Sequence, residues 1–163
     1  MVMEITNCTK HDFDQILNEF GEFWDSERTL PLHHPTLVNE FGNSAFVIKE
    51  GPKVVAYLFG FLSQTAPDGY VQLLSVRQGY RKQGLARRLY EHFTGFALAH
   101  GCARLKAITS PINNLSIAFH RSIGMMPTGE PDQQGIPAIK DYSGPGKDRV
   151  VFIKDIGRPL HDS

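Results

Sequence analysis

The sequence LSVRQGYRKQGLARR, residues 74–88, joins an apolar run to an amphipathic segment through a short basic turn. The apolar run Gly69–Val76 predicts a buried strand, because it is too hydrophobic to expose one face to water. Behind the turn, apolar side chains recur at helical spacing from Leu85 to Ala97 and predict a helix over Gly84–His100. The stretch therefore predicts a buried strand that leads directly into the N-terminus of a helix.

The chemistry of this turn favours an anion. A helix N-terminus presents unpaired backbone N–H groups and a partial positive charge, and Gly84 removes a Cβ where a ligand would approach. Arg81, Lys82, Arg87 and Arg88 crowd this end of the helix, where each cation costs about 0.3–1 kcal/mol. A pyrophosphate in the turn explains the cluster; a solvated basic turn is the alternative. Neither a P-loop nor a GxGxxG dinucleotide motif is present.

The segment RKQGLA, Arg81–Ala86, resembles the acetyl-CoA signature [RQ]-x-x-G-x-[GA] of the GNAT superfamily of N-acetyltransferases. The resemblance implies that backbone N–H groups of Lys82–Arg87 bind the CoA pyrophosphate and that the strand end Leu74–Val76 pairs with the pantetheine arm. One N–H of that strand end would polarise the acetyl carbonyl. The cofactor-binding residues implied here are Leu74, Ser75, Val76, Arg81, Lys82, Gln83, Gly84, Leu85, Ala86 and Arg87.

A second motif follows about thirty residues later, in the predicted helix Asn113–Ile123. Asn113, Ser116 and His120 fall within an arc of roughly 60° at 3.6 residues per turn. A neighbouring arc is predicted to be buried and contains Leu115, Phe119 and Ile123. The helix therefore carries a polar edge beside an apolar stripe, although Asn113 is also a good N-cap residue.

This segment resembles the GNAT pattern N-x-x-[AS]-x-x-x-[YH]-x-x-x-G-[FM], with Gly124 in register. The resemblance adds four residues to the acetyl-CoA site: Asn113, Ser116, Phe119 and His120. Most relatives have Tyr at the position of His120, where it donates a proton to the departing CoA thiolate. Imidazole can act as the general acid instead, since its ordinary pKa is near 6.5. The alternative is that His120 only hydrogen-bonds CoA or the core.

The usual catalytic base is missing. Many relatives have a Glu on the strand before the turn or on the strand after it, yet neither Tyr70–Val76 nor Arg104–Ile108 contains a carboxylate. His34 is the candidate base in its place. The predicted acceptor site comprises Tyr70, His33, His34 and Tyr142, and the remaining polar candidates near it are Glu40, Asp141 and Asp148. Phe23 and Trp24 either line this pocket or pack in the core.

The rest of the chain predicts a single domain over residues 1–163. Met3–Cys8 is predicted as an edge strand and Thr9 as the start of a helix; Glu50-Gly51-Pro52 is predicted to join two strands in a hairpin. The remaining predicted elements are a short helix Thr36–Phe41, the hairpin strands Ala45–Lys49 and Lys53–Leu62, and strands Arg104–Ile108 and Arg149–Ile156. This order predicts an α/β protein with the GNAT fold, a central mixed, mostly antiparallel sheet with helices on both faces.

The charge composition limits the classes of partner that this protein is expected to bind. Lys plus Arg and Asp plus Glu number 17 each, and zero net charge argues against nucleic-acid or membrane partners. The N-terminus has no signal-peptide pattern and no apolar run approaches the ~20 residues of a membrane span, so a cytoplasmic protein is expected. Cys8 and Cys102 match no metal-ligand spacing, so no metal is expected and both are predicted to be reduced thiols.

The resemblance implies an N-acetyltransferase that transfers the acetyl group of acetyl-CoA to a primary amine by direct attack in a ternary complex. The acceptor is a small molecule or a peptide, and a homodimer is expected because it is common among relatives. The absent strand carboxylate supports a second hypothesis, a non-catalytic module that binds or senses acyl-CoA. The sequence does not identify the acceptor, and it does not decide whether the acyl group is strictly acetyl.

Overall fold

A computed structural model describes residues 3–157 of the chain. Its α-helices are α1 (Lys10–Asn18), α2 (Thr36–Asn39), α3 (Leu85–Ala99) and α4 (Asn114–Ser122). Its strands are β1 (Ile5–Asn7), β2 (Ala45–Glu50), β3 (Lys53–Leu62), β4 (Asp68–Val76), β5 (Arg104–Thr109), β6 (Met126–Thr128), β7 (Glu130–Pro131), β8 (Pro137–Ala138) and β9 (Val150–Asp155). Short 3₁₀ turns cover Phe20–Glu22, Glu27–Leu32 and Gly42–Ser44. None of the helices within residues 3–157 is long and apolar enough to cross a membrane.

Seven strands form one sheet in the order β1-β2-β3-β4-β5-β9-β6, and β7 pairs with β8 in a separate ribbon. The pairs β1–β2, β2–β3, β5–β9 and β9–β6 are antiparallel. The mixed α/β class with a mostly antiparallel sheet is therefore confirmed, as is the edge position of β1. The Gly51-Pro52 hairpin is also confirmed, since Glu50 pairs with Lys53 and Gly51 has a φ of 58°.

The contacts divide the chain into two compact units. The first comprises the chain up to Phe61 together with Val71–Phe96, and the second comprises Leu62–Tyr70 together with the chain from Ala97 onward. The prediction of one domain over residues 1–163 stays a prediction.

In the first unit, helices pack on both faces of the strands. Thr9 caps α1 as expected, because its side chain accepts from the Asp12 N–H while Asp12 accepts from the Thr9 N–H. Phe13 of α1 packs in one core cluster with Val47. The adjacent side chain on β2, Phe46, points to the opposite face and contacts His92 and Phe96 of α3. Because side chains alternate along β2, α1 and α3 pack on opposite faces of this strand.

In the second unit, β5 and β9 carry the core. Ala107 lies opposite Phe152, and the ring of Phe152 stacks on His120 of α4 at 5.0 Å between centroids. Lys154 of β9 donates to the Ile123 carbonyl at the end of α4, with Nζ and O 2.8 Å apart. α4 is therefore held on the face of β9 that carries Phe152.

Candidate functional site

The basic turn of the first unit has a backbone that needs left-handed residues. Gly79, Lys82 and Gly84 have φ angles of 88°, 64° and 78°. The first i→i−4 hydrogen bond of α3 runs from the Arg88 N–H to the Gly84 carbonyl, 3.0 Å. The N–H groups of Leu85 and Ala86 precede it and have no acceptor within the helix. The turn therefore ends in the donor geometry that binds an anion.

Gly84 faces open space. A Cβ built on it would meet no protein atom within 4 Å. Lys82, Gln83 and Arg87 around it are exposed. Because neither backbone nor side chains fill the space beside the helix N-terminus, a phosphate group can reach the N–H groups there. The residues present therefore fit the pyrophosphate of a CoA molecule.

Arg81 and Arg88 at this turn donate to acceptors inside the protein. Arg81 donates from Nη2 to the Phe23 carbonyl (3.1 Å) and from Nε to the Val76 carbonyl (3.2 Å). Arg88 donates from Nη2 to the Met3 carbonyl, 2.7 Å. These backbone carbonyls explain the positions of Arg81 and Arg88 without a bound anion, and the pyrophosphate in the turn stays a prediction.

The strand before the turn is tied to the segment that contains Phe23. The Ser75 hydroxyl donates to the Phe23 carbonyl at 2.9 Å and is buried. Leu74 and Val76, the flanking residues of the predicted pantetheine contact, are half-buried. The Ser75 side chain thus has a structural role. The predicted pantetheine contact uses only main-chain atoms of Leu74–Val76, so it does not depend on this hydroxyl.

In the second unit, α4 begins at the predicted polar residue. Asn113 is the N-cap, since its side chain accepts from the Ser116 N–H at 3.1 Å. Ser116 Oγ lies 3.2 Å from His120 Nδ1, so two members of the predicted polar edge are in contact. The structure therefore brings Asn113, Ser116 and His120 together along one side of the helix.

The predicted apolar arc of α4 is wrong at Leu115, whose side chain is 86% exposed. Ile123 is buried and Phe119 is half-buried, as expected. The buried stripe is centred on Ser116, His120 and Ile123, and Leu115 lies roughly 140° from His120 at 100° per residue. Packing on Phe152 selects this stripe, so the polar edge lies at its centre and not beside it.

His120 is buried in aromatic surroundings. Its Nδ1 lies 2.7 Å from the Ser116 carbonyl, which identifies Nδ1 as the donor. The ring is 7% exposed, stacks on Phe152 and meets Phe119 edge-on. Burial lowers the His120 pKa, partly opposed by the Ser116 carbonyl. The neutral ring therefore dominates near neutral pH, which supports a hydrogen-bonding or packing role more than a general-acid role.

His33 of the first unit is corrected from the predicted acceptor site to the core. It is 6% exposed; its Nδ1 donates to the Thr29 carbonyl (2.9 Å), so its Nε2 accepts from the Tyr57 hydroxyl (2.8 Å). Tyr57 also accepts from Trp24 Nε1, 2.6 Å. Both ring nitrogens of His33 are thus engaged, and we call this set of residues, Trp24–Tyr57–His33–Thr29, the buried relay.

The candidate base His34 is exposed, unlike its neighbour. Its Nδ1 accepts from the Thr36 N–H at 3.2 Å and lies 3.0 Å from the Thr36 hydroxyl. The ring therefore helps to begin α2, and only Nε2 remains to act on a substrate. Phe23, by contrast, is 2% exposed, and Trp24 is partly buried against the same core cluster, so the packing alternative holds for both.

The two buried histidines predict a pH dependence of stability. Burial lowers the pKa of both His33 and His120 from 6.5. Between the lowered folded pKa and the unfolded value the unfolded chain binds more protons, so stability is complete above about pH 6.5 and falls as pH decreases. Denaturant unfolding at about pH 7.5 and about pH 5.5 measures this. A free energy of unfolding that is flat or higher at the lower pH contradicts it.

The carboxylates of the late loop, residues 141–148, accept hydrogen bonds from backbone N–H groups of the same loop. Asp141 accepts from the Gly146 N–H (2.8 Å) and Asp148 accepts from the Asp141 N–H (2.9 Å). Neither therefore supports a role as the base. Tyr142 is 37% exposed and lies close enough to half-buried Tyr70 to act on its titration. The structure thus brings together two of the four predicted acceptor residues, Tyr70 and Tyr142, within the second unit.

Three cations with interactions inside the protein were not predicted from the sequence. Arg77 is buried, donates from Nε to the Val54 carbonyl (2.8 Å) and lies over the Phe23 ring at 4.8 Å. Lys106 lies over the Tyr142 ring at 5.5 Å, and Arg149 acts on the titration of Tyr70. A charged residue between apolar neighbours of a strand, as in Leu105-Lys106-Ala107, is the signal that was available.

No metal or thiol chemistry is indicated within residues 3–157. No group of three or more metal-ligating side chains occurs there. Cys8 and Cys102 are buried and not disulfide-bonded. Burial raises the pKa of Cys8 to about 12 and raises that of Cys102, which disfavours the thiolate a nucleophile needs.

Comparison with known proteins adds a family. Residues 10–125 match the model of the acetyltransferase (GNAT) family, and no curated protein matches the chain. Many solved structures are similar in fold. A protein from Desulfovibrio desulfuricans assigned to the GNAT family has a TM-score of 0.77 at 15% identity, with 96% of this chain and 100% of that chain covered.

The yncA protein of Salmonella typhimurium, solved with its cofactor acetyl-CoA, has a TM-score of 0.69 at 18% identity, with 100% and 99% of the two chains covered. The ribosomal-protein-S18-alanine N-acetyltransferase of Escherichia coli has a TM-score of 0.67 at 18% identity, with 99% of each chain covered. At these identities the structures establish the fold, whereas the family match covers more than half of the chain.

Proposed function

Because the chain belongs to the acetyltransferase (GNAT) family, we propose that it transfers the acetyl group of acetyl-CoA to a primary amine by direct attack in a ternary complex. The observation that carries this proposal is the turn before α3. There Gly84 faces open space beside N–H groups that precede the first helical hydrogen bond. A structurally similar protein binds acetyl-CoA, which supports the same co-substrate here.

The residues proposed to hold acetyl-CoA belong to three segments. Backbone N–H groups of Lys82–Arg87 bind the pyrophosphate, and the main chain of Leu74–Val76 pairs with the pantetheine arm, where an N–H polarises the acyl carbonyl. Side chains of α4 complete the set, namely Asn113, Ser116, Phe119 and His120. Acetyl-CoA supplies the activated thioester.

In the proposed reaction the amine nitrogen forms a bond to the carbonyl carbon and the carbon–sulfur bond breaks. The amine loses one proton and the departing thiolate gains one. β5 contains no Asp or Glu; the expectation that the strand before the turn has no carboxylate is corrected by Asp68, which begins β4 but is buried and paired with Arg104 at 2.8 Å. His34 stays the candidate base, with Nε2 as its available atom, and a proton-conducting water chain is the alternative.

Because the β4 carboxylate of Asp68 is buried and ion-paired, the lack of an evident base favours one rival function, an acyl-CoA-binding module without turnover. Acetyl-CoA mixed with the protein and a panel of primary amines separates the two. We expect release of free CoA thiol in step with amine acetylation. Binding of acetyl-CoA by calorimetry, with no thiol release across small and peptide amines, would instead establish the module.

His120→Phe tests the general-acid role. The substitution keeps an aromatic ring on Phe152 but removes the Nδ1–H bond to the Ser116 carbonyl. If His120 protonates the thiolate, kcat falls by about 100-fold or more while the Kd for CoA changes little. Equal loss of both assigns a binding role, and no loss of either assigns a packing role. Thermal unfolding of the variant controls for damage to the core.

Two other expectations stay predictions. A homodimer is testable by light scattering at assay concentration, and a cytoplasmic location by fractionation of the source cells.

A further inference from the structure

Side chains alternate along β5 and β9 of the second unit, so neighbouring residues on each strand point to opposite faces. Ala107 lies opposite Phe152, and this face carries His120 of α4. Lys106 lies opposite Ile153, so its side chain points to the other face. Arg149, just before β9, falls on that same face because it alternates with Val151 and Ile153. The face without α4 therefore carries two cations.

Each of these cations lies near a tyrosine side chain. Lys106 Nζ lies 5.5 Å from the ring centroid of Tyr142, and Tyr70 is close enough to Tyr142 and Arg149 for both to act on its titration. Burial, then Tyr142, raises the pKa of Tyr70 to about 12, with Arg149 opposing. Its hydroxyl is therefore a donor throughout the physiological range. We call Tyr70, Lys106, Tyr142 and Arg149 the cationic tyrosine cluster.

The two cations of the cluster form no ion pair with a residue of 3–157, although Asp141 and Asp148 lie in the same loop as Tyr142 and accept there from backbone N–H groups. Lys106 and Arg149 are half-buried, and Arg149 donates to the Asp148 main-chain carbonyl, 2.8 Å. Two residues before Lys106, Arg104 is paired with Asp68 at 2.8 Å. Partial burial of unpaired cations is unfavourable and favours an anionic partner.

The position of the cluster points to the acceptor. Tyr70 on β4 and Tyr142 belong to the predicted acceptor site, and Lys106 lies on β5, the strand next to β4. Cations there disfavour a polycationic amine, since like charges repel. An ammonium, a guanidinium and two phenolic hydroxyls together form a donor set suited to a carboxylate.

We propose that the acceptor is an amine that also carries a carboxylate, and that the cationic tyrosine cluster binds this carboxylate through Lys106 and Arg149. The proposal rests on the proposed acetyl transfer. It makes Lys106 and Arg149 specificity residues of that reaction, and it excludes polyamines as preferred acceptors.

Matched amines test the proposal. Alanine, phenylalanine and leucine are each compared with their α-carboxamides, with putrescine as a dicationic amine. Thiol release gives kcat/KM, and calorimetry on the CoA-loaded protein gives Kd. We expect the acid of at least one pair to be favoured by about tenfold or more, the value of one hydrogen bond between charged groups. Lys106→Met should abolish that preference and leave the amide little changed.

Lys53→Met is the control, because Lys53 Nζ also lies 5.5 Å from a tyrosine ring centroid, that of Tyr80 in the first unit. It should keep the wild-type preference. Equal values for acid and amide in every pair, no binding by any of them, or equal effects of the two variants would overturn the proposal. Calorimetric preference for the acids without thiol release from any amine would refute the acetyl transfer while upholding the carboxylate site.

Discussion

Gly84→Leu should reduce CoA affinity by about 100-fold or more while the protein stays folded. The new side chain would enter the open space beside the helix N-terminus, where a Cβ meets no protein atom within 4 Å. It would separate the pyrophosphate from the backbone N–H groups, and each hydrogen bond to a charged group contributes about 1.5–3 kcal/mol. Two lost bonds account for this change in Kd. Titration calorimetry with CoA measures it.

Gly51→Leu controls for backbone strain. Gly51 also has a positive φ, 58°, and its Cβ direction is equally open, but it lies in the hairpin between β2 and β3. Both substitutions place a non-glycine residue in left-handed geometry at a cost of about 1–2 kcal/mol, so thermal unfolding should shift similarly in the two variants. Loss of CoA binding in both, or in neither, would contradict a pyrophosphate at Gly84.

Tyr57→Phe should lower the free energy of unfolding by about 2–4 kcal/mol. Tyr57 is fully buried, and its hydroxyl accepts from Trp24 Nε1 and donates to His33 Nε2. Its removal leaves two polar atoms of the buried relay without a partner, and each costs about 1–3 kcal/mol. Urea denaturation monitored by the fluorescence of Trp24, the single tryptophan of the sequence, measures the change.

Tyr80→Phe is the matched control for Tyr57→Phe. The Tyr80 hydroxyl donates to Glu50 at 2.8 Å in an exposed contact. Because water replaces an exposed partner, we expect a loss within about 0.5 kcal/mol. Comparable losses in both variants would mean that burial of the relay does not set its energetic value.

The two motifs and the element order could be predicted because their signals are local. The strand, turn and helix around Gly84 were predicted from apolar periodicity and glycine placement, and β4 and α3 confirm them. Thr9 and Asn113 were predicted as caps from residue type and spacing, and both cap their helices. These features depend on residues within one helical turn of each other, so the sequence alone contains them.

The function of individual polar side chains could not be predicted in the same way. His33 and His34 are neighbours in sequence, yet one has both nitrogens bonded in the core and the other is exposed. The difference comes from Tyr57, which is 24 residues away from His33 along the chain. Likewise, Arg81 donates to the Phe23 carbonyl, which is 58 residues away along the chain. Hydrogen-bond partners brought together by folding decide which groups remain available for chemistry.

For this protein, the sequence by itself determined the family, the strand–turn–helix unit around Gly84 and the order of helices and strands, because local backbone preference and apolar periodicity encode them. Only the tertiary structure decided that Leu115 is exposed, that burial lowers the pKa of His120, and that Lys106 lies over the Tyr142 ring without an ion pair among residues 3–157. Those outcomes depend on which distant surfaces pack together and exclude water, and no local pattern specifies that.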